Sequence, residues 1–310
     1  MTQISPKLFS RDIQSELHPE NTFYTKGFKD IAAGDKSSVE VPQAGITDSA
    51  ATGEPDLPIA ITRREDSTKE YSLLQVYAPP QLVTREEEIV LNYNKQKDLA
   101  SAMADIINTK CADISAHAYA PTGADNILLS TGTARPGTLV GAAGNRKGLA
   151  KSDLISARNL AMRMNVRDLQ NWLLVVTPDQ YFDLLKITDF VDYEKTGVES
   201  KLIKGIIRRV LGFDIMVRWN DELGSIGAHY APGAKTLKDN GTVATTDSAA
   251  ALLFHPRYVR YAEAHAKTII NREPAGYLGA TIIESLVRFG AAKSRNDEKG
   301  VIAIVESSAT

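Results

Sequence analysis

The chain has 310 residues, of which 36 are Lys or Arg and 38 are Asp or Glu, so its formal net charge is −2. Apolar residues make up 43% and charged residues 24%, which is ordinary for a soluble globular protein. The charge balance argues against a dedicated nucleic-acid-binding protein and against a polybasic membrane-surface protein, because both would show a basic excess. The single cysteine, Cys111, excludes an internal disulfide and a cysteine-rich zinc site.

The sequence carries no targeting pattern that we recognise. No apolar run reaches the roughly 18 residues that a membrane span needs, and the first residues lack the basic and apolar regions of a secretory signal. We therefore expect a soluble protein made in a reducing cytoplasm, with no membrane partner.

Residues 1–34 are polar, with scattered apolar residues and no strong period. This pattern predicts either a loosely ordered terminus or an arm that becomes ordered only against a neighbouring subunit.

Residues 35–83 predict a long, two-stranded excursion from the main body. Alternation at Val39 and Val41, at Ile59 and Ile61, and again over 71–77 indicates strands. The charged stretch 63–70 contains no apolar residue, so we place it at the tip of the excursion. Because an isolated hairpin is marginal in water, we expect this one to pack against something else.

A long helix is predicted over residues 85–118. Thr84 and Glu87 form a capping-box pattern at its start, and no Gly or Pro occurs from residue 81 to 120. Tyr93, Ala100, Ile107 and Ile114 are spaced seven apart, which places them on one apolar stripe. At 1.5 Å per residue, the helix would be roughly 50 Å long, as suits a spine across a flattened subunit.

The remaining two thirds of the chain predict mixed structure followed by strands. Residues 119–148 indicate loops or short strands. Helices are predicted from about 152 to 164, from Pro178 after a Thr177 cap, and over 200–211 with Gly212 as its stop. Strands are predicted over 173–177, 213–219, 250–254, 258–266, 282–289 and 301–305. This order indicates an α+β fold in which the first and last thirds share one sheet.

No motif of catalytic or cofactor-binding chemistry stands out. The Gly-rich stretch 137–148 lacks the spacing of a phosphate loop, and no GxSxG or HExxH pattern occurs. His255 and His265 flank one predicted strand, close enough to approach each other, and we favour structural histidines over a metal site there. Cys111 lies beside the apolar stripe and indicates a small buried residue. We therefore expect no catalytic residue, cofactor or metal.

A basic cluster falls near the predicted helix 200–211. It consists of Lys201, Lys204, Arg208 and Arg209. This pattern is typical either of a solvated helix face or of a patch that meets an acidic patch on another subunit.

The order of these segments resembles the tailed-phage major capsid protein of the HK97-like fold. Residues 172–186 look like the family's strand-to-helix segment in the axial domain, and 204–220 look like its short helix, glycine and strand. Residues 251–264 and 279–306 are similar to the strands that return to and close the peripheral domain. The resemblance covers nearly the whole chain.

The resemblance implies an HK97-like division of the chain. Residues 1–34 would be the N-terminal arm, 35–83 the extended loop, 84–148 and 250–310 the peripheral domain with its spine helix, and 149–249 the axial domain. The implied product is a shell of hexamers and pentamers around double-stranded DNA, located in the virion. Implied partners are further copies of the chain, a separately encoded scaffolding protein, a portal, and packaged DNA held non-specifically.

Contact between subunits is then expected at charged residues of the extended loop and of the basic cluster. These residues are Glu54, Arg63, Arg64, Glu65, Asp66, Lys69, Glu70, Lys201, Lys204, Arg208 and Arg209. Two alternatives stay open: an encapsulin-type shell of a cellular compartment, and a cytoplasmic α+β enzyme whose site we do not recognise.

Overall fold

A computed structural model of the chain describes residues 21–31, 37–45, 52, 63–90, 95–166, 168, 170–187, 209–220, 222–233, 235–239, 241, 243–274, 276–277 and 279–309. Within them the helices are α1 (Arg85–Val90), α2 (Lys95–Tyr119), α3 (Lys151–Arg163) and α4 (Pro178–Leu185). The strands before α4 are β1 (Phe28–Asp30), β2 (Ser38–Gln43), β3 (Ser67–Ser72), β4 (Leu74–Val83), β5 (Ile127–Leu129), β6 (Ala134–Pro136), β7 (Asn145–Lys147) and β8 (Trp172–Val176). Those after it are β9 (Arg209–Val210), β10 (Phe213–Val217), β11 (His229–Ala231), β12 (Thr236–Leu237), β13 (Ser248–Phe254), β14 (Val259–Arg272), β15 (Thr281–Lys293) and β16 (Val301–Val305).

The first and last thirds of the chain share one sheet, as predicted. Its strand order is β1-β14-β15-β4, with β14 and β15 forming a long antiparallel hairpin. Helix α2 packs against this sheet, and Met103 and Ile107 of the helix lie in one apolar core with Val287 and Phe289 of β15. The predicted spine helix thus supports the long sheet along its length.

A second sheet forms the other half of the fold. Its strands follow the order β12-β11-β13-β8-β10-β9, with β16 beside β13 and β5 beside β16. Strands β8, β13 and β16 are buried along their whole length. Leu154 and Ala161 of α3 and Leu184 of α4 pack in the core on one side of this sheet. Residue 250, where the predicted domain boundary falls, lies within β13, so this boundary runs through the second sheet.

The capping box that predicted the spine helix is present. The Thr84 N–H donates to Oε2 of Glu87 at 3.1 Å, and the Glu87 N–H donates to Oγ1 of Thr84 at 3.4 Å. Within the predicted helix 85–118, the described residues form α1 and α2. Tyr93, which was predicted to lie on the apolar stripe, is outside the described residues. No helix in the described parts of the chain is both long and apolar enough to cross a membrane.

The predicted helix over 200–211 is wrong at its C-terminal end. Arg209 and Val210 form β9, which pairs antiparallel with the start of β10. Leu211 and Gly212 connect the two strands with φ of 49° and 83°. Positive φ at both central residues is the geometry of a tight hairpin turn, so Gly212 serves a strand turn instead of ending a helix.

Two other predictions need correction. The charged stretch 63–70 is not a tip, because β3 begins at Ser67 and pairs with β2; the predicted strand near Ile59 lies outside the described residues. The terminal arm is not loose throughout: Phe23, in a short 3-10 helix at Thr22–Lys26, is 1% exposed and packs in the core of its own chain. An aromatic side chain buries enough apolar surface to fix this segment without a neighbour.

Candidate assembly surfaces

The antiparallel pair β2–β3 carries or adjoins most of the predicted contact residues. Its register runs from Ser38 opposite Ser72 to Gln43 opposite Ser67. Lys69 and Glu70 lie within β3, and residues 63–66 directly precede it. Glu54 lies outside the described residues.

Two of the predicted contact residues form an ion pair with each other. Arg64 donates to both carboxylate oxygens of Asp66, at 2.7 Å and 2.9 Å, and the Gly45 N–H donates to the same carboxylate at 2.9 Å. The hydrogen bond from Arg64, followed by that from Gly45, lowers the pKa of Asp66. Arg63 and Glu65 point their exposed side chains to solvent beside this pair, so their charges are more accessible to another molecule.

The β2–β3 pair is fixed to the long sheet by a buried polar contact. The Tyr71 hydroxyl donates to Oδ2 of Asp30 at 2.8 Å, and Nη1 of Arg260 donates to Oδ1 at 2.6 Å. Burial, followed by the hydrogen bond to Asp30, raises the pKa of Tyr71. Val41 and Tyr71 also pack with Ala262 of β14. The base of the excursion therefore belongs to the folded body of the subunit.

A second set of contacts holds the base to the loop after β15. Nε2 of Gln43 donates to the Ser294 carbonyl at 3.0 Å, and Nζ of Lys69 donates to the Arg295 carbonyl at 3.3 Å. Burial, followed by the nearby charge of Lys293, lowers the pKa of Lys69. Lys69 is therefore part of this internal junction, whereas Glu70, the next residue of β3, is exposed.

The basic cluster is only partly covered by the structure. Lys201, Lys204 and Arg208 lie outside the described residues. Arg209 lies in β9, where its Nε is 3.0 Å from Oδ1 of Asp214 and its Nη2 donates to the Gln170 carbonyl at 2.9 Å. About half of each side chain of this ion pair is exposed.

Sequence reasoning missed a buried arginine that joins the arm, the spine helix and the second sheet. Arg218 is 1% exposed and donates to Oδ1 of Asp113 at 2.6 Å and to Oδ1 of Asn21 at 3.2 Å. Asn220 donates to the other oxygen of the Asp113 carboxylate at 2.9 Å, and the Arg218 guanidinium lies over the ring of Phe23. In the chain, Arg218 lies 105 residues from Asp113 and 197 residues from Asn21, so no local pattern signals the contact.

A second buried ionic cluster joins α4 to the end of β16. Arg135 donates to Oδ2 of Asp183 at 2.9 Å and to Oε1 of Glu306 at 2.6 Å. Thr138 also donates to Oε1 of Glu306, at 2.8 Å. Burial raises the pKa of Glu306 despite the opposing charge of Arg135. This cluster too went unpredicted, because its members come from three distant segments.

Comparison with known families identifies the family of this chain. The model of the family described as phage capsid protein matches residues 92–307, which include α2, most of both sheets and the Arg135 cluster. This chain belongs to the phage capsid protein family.

The fold is shared with solved phage capsids along the whole chain. The capsid of cyanophage P-SCSP1u is 15% identical, with a TM-score of 0.66 over 99% of this chain and 94% of that one. The capsid of cyanophage Pam1 is 11% identical, with a TM-score of 0.64 over 100% and 98%, and a structure from Mycobacterium phage Che8 is 14% identical, with 0.62 over 98% of both. A search among curated proteins found no match.

These findings confirm the predicted HK97-like α+β fold and the resemblance to phage major capsid proteins. As a family member, the chain is a structural protein of the virion that assembles with copies of itself into a capsid shell. The family match favours a structural capsid protein over the alternative of a cytoplasmic enzyme.

The buried residues named as chemical candidates have structural surroundings. Cys111 is 3% exposed, and burial raises the pKa of its thiol to about 12, which suits a packed side chain and not a nucleophile. His255 is buried, and its Nδ1 accepts the Arg257 N–H at 3.2 Å; the expected approach to the His265 side chain lies outside what the structure describes. Among the described residues no group of three or more His, Cys, Asp or Glu is placed to hold a metal ion.

Proposed function

We propose that this chain is a major capsid protein whose copies form the hexamers and pentamers of an icosahedral shell around a double-stranded DNA genome. The observation that carries the proposal is the family match over residues 92–307. Full-length likeness to phage capsids supports it. The proposed role needs neither catalysis nor a cofactor.

In this proposal the excursion lies on a neighbouring subunit. Its base is tied to its own subunit through Tyr71 and Gln43, which supports a segment that projects from a fixed root. Arg63, Glu65 and Glu70 are exposed beyond or along this root. We assign them the principal inter-subunit contacts of the loop, because mixed charges select a complementary rim.

The proposed division assigns 1–34 to the arm, 35–83 to the extended loop, 84–148 and 250–310 to the peripheral domain, and 149–249 to the axial domain. The packing of α2 on the long sheet supports a spine within the peripheral domain. The second sheet draws strands from both proposed domains, which favours a rigid connection between them.

The proposed partners are a scaffolding protein, a portal and packaged DNA, and synthesis takes place in the host cytoplasm. A net charge of −2 supports loose, non-specific contact with DNA, because a basic lining would bind phosphates tightly.

Expression of the chain alone and with its scaffolding protein tests the proposal. We expect closed shells by electron microscopy, and nuclease-protected double-stranded DNA in particles isolated from infected cells. Protein cargo without DNA would instead favour the encapsulin alternative, and a product that stays monomeric under all conditions would refute both.

A loop deletion tests the role of the excursion separately. Replacing residues 46–62 by a short Gly-Ser turn keeps the β2–β3 pair and its anchors, so we expect a folded subunit that no longer forms shells. A matched control replaces the same residues by a Gly-Ser segment of equal length. It keeps the length of the loop and the proposed contact residues Arg63, Glu65 and Glu70, so we expect it to form shells. Normal shells from the deletion variant would show that the loop is not needed for assembly.

A further inference from the structure

Strand β14 has an edge that lacks a strand partner among the described residues. On one side it pairs with β15 as far as Arg272. On the other side β1 covers only residues 260–262. Among the described residues, the edge is therefore open from about residue 263 to Arg272.

The direction of the backbone groups at this edge follows from one hydrogen bond. The Glu273 N–H donates to the Ala280 carbonyl at 3.1 Å, toward β15. The carbonyl of the same peptide, which belongs to Arg272, therefore points away from β15. Because the direction alternates along a strand, Thr268, Ile270 and Arg272 all turn their N–H and C=O groups to the open edge.

The composition of this edge favours pairing. The other edge strand of the sheet, β4, contains Pro79 and Pro80, which have no N–H to offer. The segment Lys267–Arg272 of β14 contains no proline and has three consecutive β-branched residues. Ile270, near the centre of this segment, is 47% exposed. An open edge of this kind is a ready template for another strand.

We propose that Lys267–Arg272 pairs antiparallel with the same segment of a second copy of the chain, about a two-fold axis at Ile270. The inference rests on the proposed assembly function. In this register Ile270 faces its own copy, and Thr268 faces Arg272 of the second copy. All of these residues direct their backbone groups to the open edge, so each opposed pair exchanges two hydrogen bonds. The pairing joins two four-stranded sheets into one.

Charge supports the same register. Lys267 is placed opposite Glu273 of the second copy, and Glu273 opposite Lys267 of that copy. Within one chain these two side chains are about 20 Å apart along the strand, so they do not pair with each other. A two-fold contact in this register thus forms two Lys267–Glu273 pairs of opposite charge between the two copies.

Cysteine crosslinking in assembled particles tests the axis. Facing residues of a hydrogen-bonded antiparallel pair have Cα atoms about 5.5 Å apart, which is within the range of a disulfide. Ile270→Cys is therefore expected to give a disulfide-linked dimer with oxidised glutathione, which is reduced as the two thiols are oxidised. Thr268→Cys is the matched control, because two copies of residue 268 would lie roughly 13 Å apart. The native Cys111 is buried and gives little background.

A charge exchange tests the register. Lys267→Glu and Glu273→Lys should each raise the protein concentration needed for assembly about five-fold, since each places like charges opposite one another. The double variant should restore the wild-type concentration.

The outcomes separate this inference from the proposed function. If the wild-type chain forms particles but Ile270→Cys gives no disulfide-linked dimer, the two-fold pairing is overturned and the capsid function stands. The same conclusion follows if the double variant is as impaired as the single variants. Protection of the Thr268 and Ile270 amides on assembly without a dimer would show that a different strand fills the edge, which also overturns it. Failure of the wild-type chain to form particles would instead contradict the proposed function.

Discussion

Replacing Glu298 by Gln should destabilise the folded subunit, because the Glu298 carboxylate joins the loop after α2 to the loop after β15. The Glu298 carboxylate accepts the Thr122 and Gly123 N–H groups at 3.0 Å and 2.8 Å. It also accepts Nζ of Lys293 at 2.6 Å. Burial by itself would raise the pKa of Glu298, but Lys293, Thr122 and Gly123 outweigh it and lower the pKa to about 2.

The size of the effect follows from this pKa. A fall from 4.5 to about 2 corresponds to about 3 kcal/mol, at about 1.4 kcal/mol for each pKa unit. The Glu298 side chain is only 12% exposed, so solvent screens this little. Because the folded pKa is depressed, the contribution is fully present above the unfolded value of 4.5 and is lost as the pH falls through about 2.

Urea unfolding of unassembled subunits, monitored by circular dichroism, measures this contribution. At pH 7 the Glu298→Gln variant should unfold at about 1 M less urea than the wild type, and the difference should shrink steadily below pH 4.5. Glu222→Gln, at an exposed residue, serves as the control and should leave the midpoint unchanged. Equal midpoints for wild type and Glu298→Gln at pH 7 would refute the reasoning.

Three further predictions concern other buried positions. Burial raises the pKa of Glu306 above its ordinary value of 4.5, so its contribution to stability is fully present below pH 4.5 and is lost as the pH rises through the folded pKa. In urea unfolding, the stability of Glu306→Gln relative to the wild type should therefore increase as the pH is raised above 4.5, and a difference that stays constant with pH would contradict this. Asp113→Asn should cost about 3 to 5 kcal/mol in urea unfolding, because it leaves Arg218 buried without its carboxylate; a loss below about 1 kcal/mol would contradict this. Gly148→Ala should lower the melting temperature, because a Cβ at this position would collide with the Asp183 carboxylate of α4. Gly233→Ala is the control, because a Cβ there meets open space, and it should leave the melting temperature unchanged. Equal shifts for the two variants in calorimetry would contradict the close packing at Gly148.

The parts of the fold with local signals were predictable from the sequence. The capping box at Thr84 and the absence of Gly and Pro after it indicated the spine helix. The apolar runs of β8 and β16 indicated buried strands, because only continuous burial requires such runs. The prediction of a helix that ends at Gly212 was wrong because its local signal is ambiguous. A glycine after an apolar residue suits the end of a helix and a hairpin turn equally well, and here the pairing of β9 with β10 produces the turn.

The candidate contact residues were predictable only as a charged stretch. Composition located Arg64 and Asp66 on the excursion, but it gave no indication that the two bind each other. The two buried clusters around Arg218 and Arg135 depend on contacts between segments far apart in the chain. No short-range pattern encodes such contacts, because they form only once both sheets are assembled.

Cryo-electron microscopy of the purified, assembled chain tests the central claim most directly. The account predicts closed icosahedral shells in which each subunit has the two sheets and spine helix described above and contacts its neighbours through the residue 35–83 excursion. Particles that lack icosahedral symmetry, or a chain that remains monomeric with its scaffolding protein present, would contradict it.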